Sequence, residues 1–79
     1  MALYVLLVKE SEDDQSVVYL FGPNEDQLGR LRINKNNGAV EELTPVPTDN
    51  AKKFFMPAAV KIRQHWRNNL FPDKTSHAS

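Results

Sequence analysis

Over roughly the first half of this chain the apolar residues come in short runs with a two-residue rhythm, and beyond residue 50 they recur at three- and four-residue intervals. The first spacing is that of a pleated strand and the second that of a helix, so the pattern predicts several strands followed by one helix. Residues 3–9, L-Y-V-L-L-V-K, are almost continuously apolar. Such a run suits a strand inside a sheet or covered on both faces better than an edge. The following E-S-E-D-D-Q at 10–15 has nothing to bury and reads as a solvated loop. Val17-Val18-Tyr19-Leu20-Phe21 is β-branched and aromatic and predicts a second strand, joined to the first as a hairpin. Gly22-Pro23 should stop that ladder, because proline carries no amide proton.

Residues 28–33 alternate in their second half, which points Leu31 and Ile33 inward and Arg30 and Arg32 to water. Gly29 lies on the apolar side of this register, marking a bulge or a site of close approach. The clearest local signal is Asn37-Gly38, two residues that readily adopt positive φ, set between strand-like runs. It predicts a hairpin returning through residues 39–43. Thr44-Pro45-Val46-Pro47 is stiff and cannot carry a ladder, so it reads as the crossover from sheet to helix.

Thr48 or Asp49 is suited to cap the helix, since either side-chain oxygen can accept an orphan amide proton. Beyond it Ala51, Phe55, Ala58, Ala59, Ile62, Trp66 and Leu70 share one arc, with Phe54 at its margin. Pro57 interrupts the hydrogen-bond ladder, and the expectation is a helix kinked or broken there. Asn68-Asn69 before Phe71-Pro72 marks its end. The pattern as a whole predicts an α+β fold: a four-stranded antiparallel meander packed on one face by a C-terminal helix. Residues 1–72 form the expected single domain and residues 73–79 a flexible tail.

Length and composition then narrow the class. At 79 residues the chain has room for one domain of modest stability, which gives a second copy or another partner weight in the account. The absence of cysteine removes disulfides, thiolate metal sites and cysteine nucleophiles, and fits a cytoplasmic protein. No apolar run reaches the length of a membrane span. Net charge is zero but lopsided: residues 1–50 hold four basic groups against nine acidic, residues 51–79 six against one.

Candidate chemistry is sparse. The basic helix face, with Lys53, Lys61, Arg63 and Arg67 and with Lys52 nearer the core boundary, could approach phosphates or an acidic protein. Zero net charge, an acidic remainder and the lack of any nucleic-acid recognition motif disfavour nucleic acid. His65 invites a catalytic or ligand role because an imidazole can titrate near neutrality, but it belongs to no metal or catalytic motif, and a surface or core-edge role suits it better than catalysis. Glu12, Asp13 and Asp14 lack calcium-loop spacing, and Glu41 and Glu42, adjacent on a strand, point to opposite faces. No catalytic residue, metal site or cofactor is assigned.

Met56 and Val60 fall off the apolar arc and are expected at the surface, where with Tyr19 or Phe71 they would form a partner-binding patch. The expected function is therefore a small noncatalytic protein-interaction or structural domain, self-associating or regulatory. A nucleic-acid accessory protein using the basic helix is the alternative, and an enzyme built on His65 the third reading.

Overall fold

The computed structural model describes residues 4–48 and 52–78. Its architecture is α+β: one antiparallel sheet and one helix. The strands are β1 (Tyr4–Glu12), β2 (Ser16–Asn24), β3 (Gln27–Asn34) and β4 (Val40–Thr44), followed by α1 (Lys52–Arg67) and β5 (Lys74–Ala78). The sheet runs β4-β3-β2-β1-β5, so the expected meander is present and is extended by a fifth strand beside β1.

That fifth strand is the main correction. Residues 74–78, expected as a tail, pair antiparallel with β1 from Tyr4↔Ala78 to Val8↔Lys74. Lys-Thr-Ser-His-Ala has no apolar alternation to announce it; its place comes from β1, whose second edge would otherwise carry unpaired amides beside the core. β1 is thus an interior strand, as its apolar run required. The same strand also continues through Glu12, where a loop was expected, with a register shift between Lys9 and Ser11. The turn that remains is short: Asp13 Oδ1 accepts the amides of Gln15 at 2.8 Å and Ser16 at 2.7 Å. Gly22-Pro23 does not end β2 but sits in an irregularity, after which Asn24 pairs with Gln27.

Cross-strand partners share a face. Val17↔Ile33, Tyr19↔Leu31 and Leu7↔Phe21 lie on the covered side, and these residues are fully buried. Onto them α1 lays Phe54, Ala58 and Ile62, spaced one turn apart, with Phe55 and Trp66 on the flank of the same cluster. The stripe is therefore centred one position earlier than expected: Phe54 is buried rather than marginal. Leu70 falls beyond the helix and is exposed. Val46, between the two prolines of the crossover, plugs the same core.

α1 passes through Pro57 without interruption. The proline stands in the second turn, so only the bond to the Lys53 carbonyl is lost, and the residues on either side remain on the packed phase. The expected cap at Asp49, like Ala51, lies outside the described residues. At the other end Asn69 adopts φ 53°. The Leu70 amide reaches the His65 carbonyl at 3.1 Å and the Asn69 amide that of Trp66 at 3.0 Å, which together form a Schellman ending.

Two glycines are required by close approach. Gly38 has φ 73°, and a Cβ there would stand 2.7 Å from the Trp66 ring. Trp66 Nε1 in turn donates to the Lys35 carbonyl at 2.7 Å, so the end of α1 is locked onto the β3–β4 turn. At Gly29 a Cβ would meet the backbone of the crossover, 2.5 Å from the Thr44 oxygen. The sequence reading of a close approach holds, and the neighbour is main chain.

Candidate interaction surface

The outer face of α1 follows from the phase of the inner one. With Phe54, Ala58 and Ile62 turned to the sheet, Lys53, Met56, Val60, Arg63, Gln64 and Arg67 stand on the opposite side and are exposed. Met56 is 64% and Val60 49% accessible, large values for apolar side chains one turn apart. A shallow depression of about 140 Å³ lies along the stripe, lined by Val60, Arg63, Gln64 and Arg67. Lys52 is exposed as well, whereas Lys61 sits half-buried on the flank beside His65.

The other two residues expected in this patch lie elsewhere. Tyr19 is fully buried on the covered face of the sheet, and its hydroxyl donates to the Pro72 carbonyl at 2.6 Å. It is not available to a partner. Burial, followed by the charges of Glu12 and Asp73, raises its pKa well above the ordinary phenol value. Phe71 is half-buried against the core and has the Lys35 ammonium 5.7 Å from its ring centre. Both residues fasten the segment after α1 to the sheet; neither joins Met56 and Val60.

The charges divide by element. Every cation of the sheet and its turns meets a carboxylate. Glu12 bridges Lys9 and Lys35, each at 2.7 Å. Arg30 takes Glu10 with two nitrogens, at 2.7 and 2.8 Å, Arg32 takes Glu41 at 2.6 Å, and Lys74 approaches Glu25 at 3.6 Å. Hydrogen bonding from Lys35 and then Lys9 holds the Glu12 carboxyl below its usual range, and Glu12 in turn raises Lys9. Among the described residues, none of Lys52, Lys53, Lys61, Arg63 and Arg67 forms an ion pair.

The uncovered face of the sheet is less open than its sequence implies. The ladder sets Arg30 beside Leu20 and Arg32 beside Val18. With their guanidinium groups held by Glu10 and Glu41, the arginine stems flank these apolar side chains, which are half-buried.

His65 faces inward at the end of α1. Its Nε2 is buried with no hydrogen-bond partner, and burial, then the Lys61 charge, lowers its pKa. Among the described residues no hydrogen bond joins it to a carboxylate, and no three His, Asp or Glu side chains come together as a metal site. No helix among the described residues is long and apolar enough to cross a membrane. No family model matches the chain, and no curated protein or solved structure is detectably similar to it, so function is argued from its own residues.

Proposed function

We propose that this is a small noncatalytic protein-interaction domain, of structural or regulatory use, whose contact surface is the outer face of α1. The observation that carries the reading is the pair Met56 and Val60, the apolar centre of a face whose cations, Lys53, Arg63 and Arg67, meet no carboxylate among the described residues. Neither side chain contributes to the buried core. Exposed apolar groups rimmed by charge are the usual composition of an association surface. On the uncovered sheet face Val18 and Leu20 already have arginine neighbours, which makes that part of the sheet a weaker candidate. Self-association belongs to the same reading, with a second copy as the partner on this helix. An enzyme built on His65 has less support, since the imidazole points to the core and its buried Nε2 has no hydrogen-bond partner.

The test compares affinity capture from native extract by the intact chain and by a Met56→Ser, Val60→Ser variant. Both residues are exposed, so the variant should unfold at nearly the same denaturant midpoint as the parent. The expected result is specific loss of captured protein with the variant. Identical capture by the two proteins would remove the outer face of α1 as the contact surface.

A further inference from the structure

We propose that the outer face of α1 seats an acidic polypeptide segment that carries apolar side chains of its own. This rests on α1 being the interaction surface and adds the chemistry of what it receives.

Charge complementarity is the first argument. The cations of the sheet are neutralised within the fold, while among the described residues the five of α1 have no carboxylate partner and the helix itself contains no acid. Two of them, Lys52 and Lys53, stand in the first turn, which has no acidic residue. They add to the positive charge that the outer face offers to a carboxylate.

The arrangement of apolar groups decides which polyanion. Lys53, Met56, Val60, Arg63 and Arg67 follow one another at three- and four-residue steps, placing cations at both ends of a stripe about 20 Å long and apolar groups in the middle. A phosphate backbone has nothing to place on Met56 and Val60. The helix aromatics that could stack on bases, Phe54, Phe55 and Trp66, lie on the inner side or its flank. A polypeptide with carboxylates flanking one or two apolar residues matches both features, and the depression between Val60 and Arg67 accepts a side chain.

A second copy of the chain is a poorer match. Its exposed carboxylates without an ion pair among the described residues include Asp14, Asp26 and Glu42. They sit on the β1–β2 turn, the β2–β3 turn and β4 respectively, and so form no single acidic patch.

The experiment is a fluorescence-anisotropy titration of the full chain at low salt with three labelled probes. One is an acidic peptide of the length of α1 with leucines at helical spacing; the second replaces those leucines by serine; the third is a DNA duplex. The proposal expects the leucine peptide to bind at least about tenfold more tightly than the other two. It also expects about tenfold weakening by Met56→Ser with Val60→Ser, and by Lys53→Gln with Arg63→Gln and Arg67→Gln, the second set also flattening the salt dependence. Tighter binding of DNA, equal binding of the two peptides, or affinity unaffected by either set would overturn it. Should neither peptide bind while Met56→Ser, Val60→Ser still abolishes capture from extract, the acidic chemistry fails and the interaction surface stands. If binding fails and capture is unchanged, both fall. Sedimentation over a concentration range supplies the remaining arm: association of the chain with itself, lost on the same substitutions, would replace the acidic segment by a second copy.

Discussion

The sheet with its turns and the helix of this protein hold the same number of lysines and arginines, five each, yet use them in opposite ways. On the sheet and its turns each cation is met by a carboxylate, and the resulting pairs tie β1 to the β3–β4 turn and hold two arginines beside Val18 and Leu20. On α1 none of the cations meets a carboxylate among the described residues, and Lys53, Arg63 and Arg67 share the outer face with exposed Met56 and Val60. Residue type is therefore a poor guide to role here. Position relative to the acidic strands separates charges that serve the fold from charges presented outward.

The largest expected effect lies where α1 meets the sheet. Ile62→Asp places a carboxylate in a fully buried site with no cation against it, and should abolish cooperative unfolding of a folded state. A circular-dichroism melt showing a normal transition would contradict the packing described. Gly38→Val is next: the residue is at positive φ and under the Trp66 ring, and the variant should lose about 2 kcal/mol or more in urea unfolding. Tyr19→Phe leaves the Pro72 carbonyl without its donor and should cost about 1 kcal/mol.

Acid stability separates two regions in the same molecule. The His65 pKa is lowered in the fold from 6.5, so the unfolded chain takes up the proton first and stability declines as pH falls from about that value through the folded one. Glu12 and Asp13 are lowered from 4.5 and 3.8, so their contribution is complete above those values and is lost as pH falls through the folded pKa values. Urea midpoints measured against pH should thus fall in two limbs. His65→Leu removes the upper limb alone and Glu12→Gln weakens the lower one; a profile unchanged by either substitution would refute the assignments. The smallest expected effect belongs to the outer helix face: Lys53→Gln with Arg63→Gln and Arg67→Gln should change stability by no more than about 0.5 kcal/mol.

Much of the architecture was legible in local pattern, and the exceptions have identifiable causes. Asn37-Gly38, the arginine alternation of β3 and the helical spacing after residue 50 each report their own element. β5 does not, because K-T-S-H-A pairs through its backbone and has no apolar face to betray it. Its trace was indirect: an apolar run as continuous as β1 belongs inside a sheet, and a four-stranded meander would have left it at an edge. Tyr19 was misplaced for a related reason. Val17-Val18-Tyr19-Leu20-Phe21 is apolar on both faces, so only the observed pairing tells which set the helix covers. Met56 and Val60 could be placed from helical phase alone, while the linkage of Glu12 to Lys35 joins β1 to the β3–β4 turn and had no local signal.

The most direct measurement is the acylation rate of each lysine, read by mass spectrometry, with and without the leucine-bearing acidic peptide. Lys9 and Lys35, partly buried and bound to Glu12, should react slowly, and Lys52 and Lys53 rapidly. The peptide should protect Lys53 and leave Lys74, on the edge strand β5 and beside Glu25, unchanged. Equal rates at Lys35 and Lys53, or protection confined to the sheet, would contradict the division of charge on which the account depends.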